Sequence, residues 1–256
     1  MASVAIAPVE TPLCRALLGR ADDALILGHR LSEWTGRAPL LEEELALANI
    51  ALDLIGQARA LYAQAGALCG HDEDALAYLR DAPHWRNALL VEQPNGDFAQ
   101  TIVRQVLFVA AMLPWWREAA RGADAGLTEI ALRAGRECAY HWRHAETWLE
   151  RLGRGTAESH ARCTRALAAL WPYRGEILAE TPEETALIAE GTWPDPTAAR
   201  AEAEALLRAA LARAGLDVPA DDFAQQGGRA GRHSEHLGLI LAVMQHLPRS
   251  HPGAAW

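Results

Sequence analysis

Lysine is absent from this chain of 256 residues, so all 24 of its basic side chains are arginines. Schiff-base chemistry on a lysine and nucleotide binding by a P-loop lysine are therefore excluded. Basic charge is also in deficit, because 33 acidic residues give a formal net charge of −9 and the arginines are spread along the chain. This distribution argues against nucleic acid or an anionic membrane surface as the binding partner.

Cysteine is scarce, and its four copies are scattered without a C-x-x-C pair. A reducing cytoplasm is therefore the expected location. The first residues lack both a basic segment and a sustained apolar run, so no secretory signal is predicted. The longest apolar run, 106–116, contains Pro114 and is shorter than the ~18 residues that indicate a membrane span. Half of the residues are hydrophobic, so a sizeable core is expected without disulfides.

Runs of β-branched residues are rare, whereas alanine and leucine recur with a period near 3.6. This pattern predicts an all-α fold. Four long helices are expected over 12–36, 41–66, 98–121 and 127–152, the third kinked or broken at Pro114. Thr11, followed by Pro12, is the expected N-cap of the first helix, and Asp97 is the expected N-cap of the third. Shorter helices are expected over 71–80, 156–170, 182–190, 196–214 and 233–247. Residues 1–256 are thus predicted to form one ferritin-like domain, a four-helix bundle core with additional C-terminal helices.

Residues 45–61 form an apolar helix that is interrupted every four residues by Asn49, Asp53 and Gln57. Side chains at this spacing share a helix face, and a polar row in an apolar helix is unfavourable unless it meets partners. We therefore expect the row to face the bundle interior and to bond to the first and fourth long helices. Four-helix oxygenases place iron ligands there, a Glu on each of two helices and a Glu-x-x-His on each of the others.

The Glu-x-x-His motif is missing. No histidine has a Glu three residues earlier, and the single Asp-x-x-His, Asp81 to His84, contains a proline. Iron in such a bundle needs several carboxylates, so no catalytic, cofactor or metal residue is assigned to this chain. A hydrogen-bonded network is expected instead, with Glu33 facing Asp53 and His141. Candidate partners for a buried Asp53 carboxylate are His141, Arg59 and Arg133.

Two H-x-x-H pairs are present, His141 with His144 and His233 with His236. Helical histidines at this spacing can reach one zinc ion, but no third ligand is indicated. Histidines that bond to carboxylates or cap helices are the favoured interpretation.

Two further features concern ligands and partners. Gly227 and Gly228 precede a helix, where an anion can dock. Nine tryptophans exceed the usual need of one core, and aromatic residues are enriched at interfaces, so a partner subunit is expected.

Long blocks of the sequence resemble the structural (C) subunits of bacterial phenylacetyl-CoA epoxidases. They read LILGHRLSEWTGRAPLLEEELALANIALDLIGQAR, LLVEQPNGDFAQTI, GRECAYHWRHAETWLERLGRGT and GGRAGRHSEHLGLILAVMQHL, and the resemblance spans 25–256. It implies a ferritin-like fold and a cytoplasmic multicomponent monooxygenase that epoxidises the ring of phenylacetyl-CoA in aerobic phenylacetate breakdown. It also implies a di-iron site in a homologous catalytic subunit, and a reductase with flavin and an iron–sulfur cluster.

The resemblance also allows the ligand motifs of the catalytic sister to be placed on this chain. Its Glu-x-Gly-His segment falls on 54–57, where Leu54 and Gln57 replace both ligands. Its second motif falls on Cys138 and His141. Vestigial-site candidates are therefore Glu33, Asp53, Gln57, Cys138 and His141.

The expected function is that of a non-catalytic structural subunit which pairs with the di-iron subunit and is able to self-associate when isolated. Alternatives are a self-sufficient di-iron carboxylate oxygenase with unusual ligands, or a stand-alone helical metal-binding or interaction protein.

Overall fold

The structure, a computed structural model, describes residues 5–122, 124–220 and 223–254. In these ranges the only β pairing is an isolated bridge between Ile6 and Arg80, and the predicted all-α fold is confirmed. The α-helices are α1 (Pro12–Ser32), α2 (Leu41–Cys69), α3 (Glu73–Tyr78), α4 (Leu89–Glu92), α5 (Phe98–Ala119), α6 (Ala125–Gly153), α7 (Ala157–Leu170), α8 (Pro182–Ala189), α9 (Thr197–Ala214), α10 (Glu235–Met244) and α11 (His246–Ser250). Segments of 3-10 helix lie at Ala82–His84, Trp171–Leu178 and Gly228–Ala230.

The core is a bundle of two helical hairpins. Helix α1 packs along α2, α5 packs along α6, and a contact between α2 and α6 joins the hairpins. Helices α7 and α9 cover the α5–α6 hairpin, and α8 packs on α1. The predicted bundle core with additional C-terminal helices is therefore present.

Helix α1 begins as the sequence predicts, because the Thr11 hydroxyl accepts a hydrogen bond from the Cys14 amide and Pro12 occupies the first turn. Its end differs from the prediction. The helix stops at Ser32 rather than near Gly36, and the following residues form turns.

Helix α2 also ends later than predicted. It continues through Gly66 to Cys69 and is terminated by Gly70, whose φ of 75° places it in the left-handed region. A Cβ at Gly66 would lie 2.2 Å from the backbone oxygen of His71. A glycine is therefore needed at position 66 because the chain passes close to it, and Gly66 does not end the helix.

Helix α5 is the central element of the core. Its N-cap is the predicted Asp97, whose carboxylate accepts from the Gln100 amide at 2.9 Å. Of the kink or break expected at Pro114, the break is wrong, because the helix runs on to Ala119 with Trp115 and Trp116 buried beside the proline. By length and composition α5 could cross a membrane, but 89% of its apolar window is buried inside the protein, as in a core helix.

The helix predicted over 233–247 is divided. It starts at Glu235, where the Ser234 side chain caps α10, and it breaks at Gln245 before α11. Neither α4 nor the 3-10 segment Trp171–Leu178 was predicted, and both belong to a polar network described below.

Candidate functional site

A row of side-chain hydrogen bonds runs along the contact between α2 and α6. We call this row the polar seam. It consists of four pairs: Glu43 with His144 at 2.8 Å, Asp53 with His141 at 3.0 Å, Gln57 with Glu137 at 2.9 Å, and Gln64 with Asp124 at 2.9 Å. Residue numbers rise along α2 while they fall along α6, so the two helices are antiparallel.

The polar seam includes only part of the predicted polar row. Gln57 is buried, Asp53 keeps 35% of its side chain exposed, and Asn49 is exposed. Successive positions four residues apart rotate by about 40° around an α-helix, so the row turns from solvent into the interior. The prediction that all three residues face the interior is wrong for Asn49. The partners of Asp53 and Gln57 lie on α6, and the expected bonds of these side chains to α1 are not formed.

Glu33 does not face Asp53 and His141, and that prediction is wrong. Because α1 ends at Ser32, Glu33 turns toward the segment before α5, where it accepts a hydrogen bond from Asn95 at 2.9 Å. It also pairs with Arg30 of α1 at 2.9 Å.

The two arginines considered for Asp53 are engaged elsewhere. Arg59 binds Glu73 at 2.6 Å and Arg133 binds Glu137 at 2.8 Å. His141 is therefore the candidate that the structure places on Asp53.

Two buried groups of α6 beside the polar seam, His141 and Cys138, are held in their uncharged forms. Burial lowers the pKa of His141, although the neighbouring Asp53 carboxylate opposes this shift. Burial also raises the pKa of Cys138 to about 12, with the nearby Glu137 and Asp53 carboxylates adding to the effect. The imidazole is thus held in its neutral form near pH 7, and the thiol stays protonated.

These side chains do not fit a di-iron site. Leu54 is buried among apolar side chains, the Gln57 amide is bound to Glu137, and Cys138 is a buried thiol. Within the described parts of the chain, no group of three His, Cys, Asp or Glu side chains is placed to hold a metal ion. A carboxylate-bridged iron pair needs several converging anionic ligands, and this set supplies too few.

The two H-x-x-H pairs do not converge either. His141 and His144 each bond to a separate carboxylate of α2. His233 bonds to the Glu92 carboxylate at 2.9 Å and to the Trp85 carbonyl at 3.1 Å, whereas His236 uses its backbone amide to bond to Ser234. These contacts match the interpretation of carboxylate-bonded histidines.

A larger polar cluster, which sequence reasoning missed, lies around α1. The Asp22 carboxylate is fully buried and accepts from the Tyr62 hydroxyl at 2.6 Å, from Arg80 at 2.5 and 3.1 Å, and from the Arg86 amide at 2.7 Å. The neighbouring Asp23 is also fully buried. We call these two aspartates and their bonded partners the buried charge network.

Asp23 and Glu176 extend this network to the C-terminal part of the chain. Asp23 accepts from Arg229 at 2.6 Å and from the Ala88 amide at 2.7 Å. Glu176 accepts from the backbone amides of Gly227 and Leu89 at 2.7 and 2.8 Å. The anion expected near Gly227 is therefore the carboxylate of the protein itself. The sequence signal that could have indicated this network is the adjacent pair Asp22 and Asp23 in an apolar helix.

The tryptophans are mainly core residues. All the described ones except Trp34 and Trp148 are buried, and Trp256 lies outside the described residues. Their number therefore does not by itself indicate an interface.

Comparison with known proteins identifies the family. A family model described as phenylacetic acid catabolic protein matches residues 3–256. The chain is 44% identical over 236 residues to a protein of Escherichia coli (strain K12) that is named as a subunit of 1,2-phenylacetyl-CoA epoxidase. That match covers 92% of this chain and 95% of the relative. The resemblance stated from the sequence is confirmed.

The fold also matches a solved structure, a protein from Synechococcus with aldehyde deformylating oxidase activity. The TM-score is 0.57 at 20% identity, with 81% of this chain and 93% of the solved chain covered. This match supports the fold alone, and the predicted ferritin-like class is confirmed. The family model and the epoxidase relative lead to one assignment. The chain belongs to the phenylacetic acid catabolic protein family.

Proposed function

We propose that this chain is the non-catalytic structural subunit of a phenylacetyl-CoA epoxidase in aerobic phenylacetate degradation. In this proposal it pairs in the cytoplasm with a homologous subunit that carries the di-iron centre, while a reductase with flavin and an iron–sulfur cluster supplies electrons. The relative in Escherichia coli is named as a subunit of the epoxidase, which implies further subunits as partners.

The observation that carries the proposal is the donor set at the contact between α2 and α6. Where a ferritin-like site would need anionic ligands, Asp53, His141, Gln57 and Glu137 are paired with one another, and Leu54 is apolar. A carboxylate bonded to a neutral imidazole, or to an amide, is satisfied without a metal. The polar seam is thereby suited to holding the two hairpins together.

The physical contribution of such a subunit is to cover and hold its partner. An obligate complex can bury thousands of Å² of surface, and a folded helical bundle offers a rigid face for this purpose. Neither a catalytic residue nor a bound cofactor in this chain is required for that role.

The test is a reconstitution series with this chain, the catalytic sister, and both together, each with the reductase and the other subunits. We expect no turnover of phenylacetyl-CoA by this chain with the reductase, and a stable, active complex when the sister is added. Full activity and equal stability of the complex without this chain would refute the scaffolding role.

Iron content provides an independent test. After anaerobic iron loading, elemental analysis should find iron in the sister and only traces in this chain. About two irons per chain, lost in His141→Ala, would show that the substitutions at the contact between α2 and α6 have been misinterpreted.

A further inference from the structure

We infer that Cys14 and Cys69 form a modification site, a pair of thiols that a peroxide converts reversibly into a disulfide. The pair joins the first turn of α1 to the last residue of α2, and we call it the hairpin dithiol. The inference goes beyond the proposed function and does not depend on it, because it concerns the chemistry of two side chains of this chain alone.

The fold brings together two cysteines that are far apart in the sequence. The Cys14 Sγ atom donates a hydrogen bond to the Ala65 carbonyl oxygen of α2 at 3.6 Å. In an α-helix the carbonyl of residue 65 points toward the amide of residue 69, one turn later, so Cys14 Sγ lies beside the backbone of Cys69. The two thiols are within hydrogen-bonding contact of each other. A disulfide requires such a close approach of side chains on facing segments.

The backbone on both sides of this contact is held in place. The Cys14 amide donates to the Thr11 hydroxyl, the cap of α1, at 3.2 Å. Cys69 is the last residue of α2, and Gly70 terminates that helix with a hydrogen bond from its amide to the Gly66 carbonyl at 2.8 Å. The contact between the thiols therefore joins two ordered helix ends.

The two thiols differ in their access to solvent, which assigns a role to each. Cys69 is partly exposed, whereas Cys14 is completely buried. Burial raises the pKa of Cys14 to about 12, and the adjacent Cys69 thiol and the Glu10 carboxylate add to this effect. A dissolved oxidant therefore reaches Cys69 first, and Cys14 is the neighbour that resolves the oxidised form.

Hydrogen peroxide is the oxidant, and the reaction has two steps. In the first, the Cys69 thiolate attacks one peroxide oxygen, so that an S–O bond forms and the O–O bond breaks. The departing hydroxide takes up the proton that Cys69 has lost and becomes water, which leaves a sulfenic acid on Cys69. In the second, the Cys14 sulfur attacks the Cys69 sulfur, the S–S bond forms and the S–O bond breaks. The Cys14 proton passes to the departing hydroxide, which leaves as a second water.

The disulfide closes the open end of the α1–α2 hairpin. Residues 33–40 connect the two helices at the other end, so the new bond closes a loop of about 55 residues. Such a cross-link restricts the unfolded chain and thereby stabilises the fold. A dithiol reductant reverses the reaction by exchange. The stability of this chain therefore responds to the redox conditions around it.

The sequence makes the modification easy to locate. Since the chain has no lysine, trypsin cuts only after arginine, and it releases Cys14 in residues 1–15 and Cys69 in residues 60–80. The two other cysteines, Cys138 and Cys163, are buried on α6 and α7 and fall in two further peptides. The Cys163→Ala variant is the matched control, because it removes a buried thiol outside the hairpin dithiol.

The experiment treats the reduced, purified chain with hydrogen peroxide at pH 8.5, blocks the remaining thiols by alkylation, and maps tryptic peptides by mass spectrometry. We expect a cross-link between residues 1–15 and 60–80 in the wild type and in Cys163→Ala, which dithiothreitol removes. In Cys14→Ala we expect oxidation of Cys69 to the sulfinic acid instead. The oxidised wild type should melt roughly 5 °C or more above the reduced one, and Cys69→Ser should show no such shift. Circular dichroism checks that each variant is folded.

Three results would overturn the inference. The first is over-oxidation of Cys69 in the wild type without a cross-link to residues 1–15. The second is a cross-link that joins two chains through Cys69, seen as a dimer on a non-reducing gel. The third is an equal rise of the melting temperature in peroxide-treated Cys69→Ser, which would place the stabilising oxidation elsewhere.

Discussion

Removing the Asp22 carboxylate should destabilise this protein much more than removing the Asp53 carboxylate. Asp22 and its partner Arg80 are both fully buried, and the Arg80 guanidinium also stacks on Trp85, with its carbon 4.5 Å from the ring centroid. Asp22→Ala would leave this cation without a counterion, and the Tyr62 hydroxyl without its acceptor. Breaking a buried ion pair from one side costs about 3–5 kcal/mol.

The Asp53 carboxylate is held by weaker interactions than that of Asp22, although it lies in the most conspicuous polar row of the sequence. Its carboxylate keeps 35% exposure, so water replaces part of any lost interaction. Its partner His141 is neutral near pH 7 because burial lowers the pKa of the ring. Asp53→Ala should therefore cost about 1 kcal/mol, the usual net value of one such hydrogen bond.

Urea unfolding at pH 7, followed by far-UV circular dichroism, measures both values. An exposed control, Asp74→Ala, should stay within about 0.5 kcal/mol of the wild type. The double variant Asp22→Leu with Arg80→Met should be more stable than Asp22→Ala, because neither charge then remains unpaired. The reasoning is refuted if Asp53→Ala proves as destabilising as Asp22→Ala.

Three further outcomes are expected. The free energy of unfolding should fall as the pH drops below about 6.5, because the His141 ring then binds a proton in the unfolded chain but resists protonation where it is buried in the fold. Above that pH the ring is neutral in both states, and His141→Gln should weaken the dependence of stability on pH. Gly228→Ala should cost roughly 1–3 kcal/mol by overpacking, since its Cβ would lie 2.0 Å from a backbone oxygen, whereas Gly238→Ala meets open space and should not destabilise. An alkylating reagent at pH 8 should modify the partly exposed Cys69 before Cys138, whose pKa is raised to about 12 by burial, as mass spectrometry of the labelled chain can show.

Local signals predict the helices well and their ends less well. Thr11 and Asp97 cap the helices that they were expected to cap, because a cap depends on residues three positions away. The helix end predicted near Gly66 is wrong, since only the folded chain shows which segment approaches this glycine. Of the kink or break predicted at Pro114, the break is wrong, because burial of the neighbouring tryptophans outweighs local propensity.

The polar groups are harder to predict, since their roles depend on contacts between distant segments. The row of Asn49, Asp53 and Gln57 is visible in the sequence, but only the packed helix shows how far its rotation carries Asn49 into solvent. The pair of Asp23 and Arg229 joins residues 206 positions apart. No spacing rule in the sequence relates two such positions, so the buried charge network emerges only from the fold.

The polar seam is partly open to solvent at Asp53, which gives a last testable consequence. In a di-iron bundle the metal ligands connect the helical hairpins, whereas here α2 and α6 are connected by hydrogen bonds that contribute about 0.5–1.5 kcal/mol each. Asp53 remains accessible to water in the free chain. A partner that covers the exposed edge of the polar seam would exclude this water, strengthen the seam bonds and stabilise the contact between the hairpins. Hydrogen exchange should therefore show that binding of the sister slows the amides of α2 and α6 more than those of α10. A larger change in α10, with α2 and α6 unaffected, would show that the partner binds elsewhere and that the seam is not strengthened by docking.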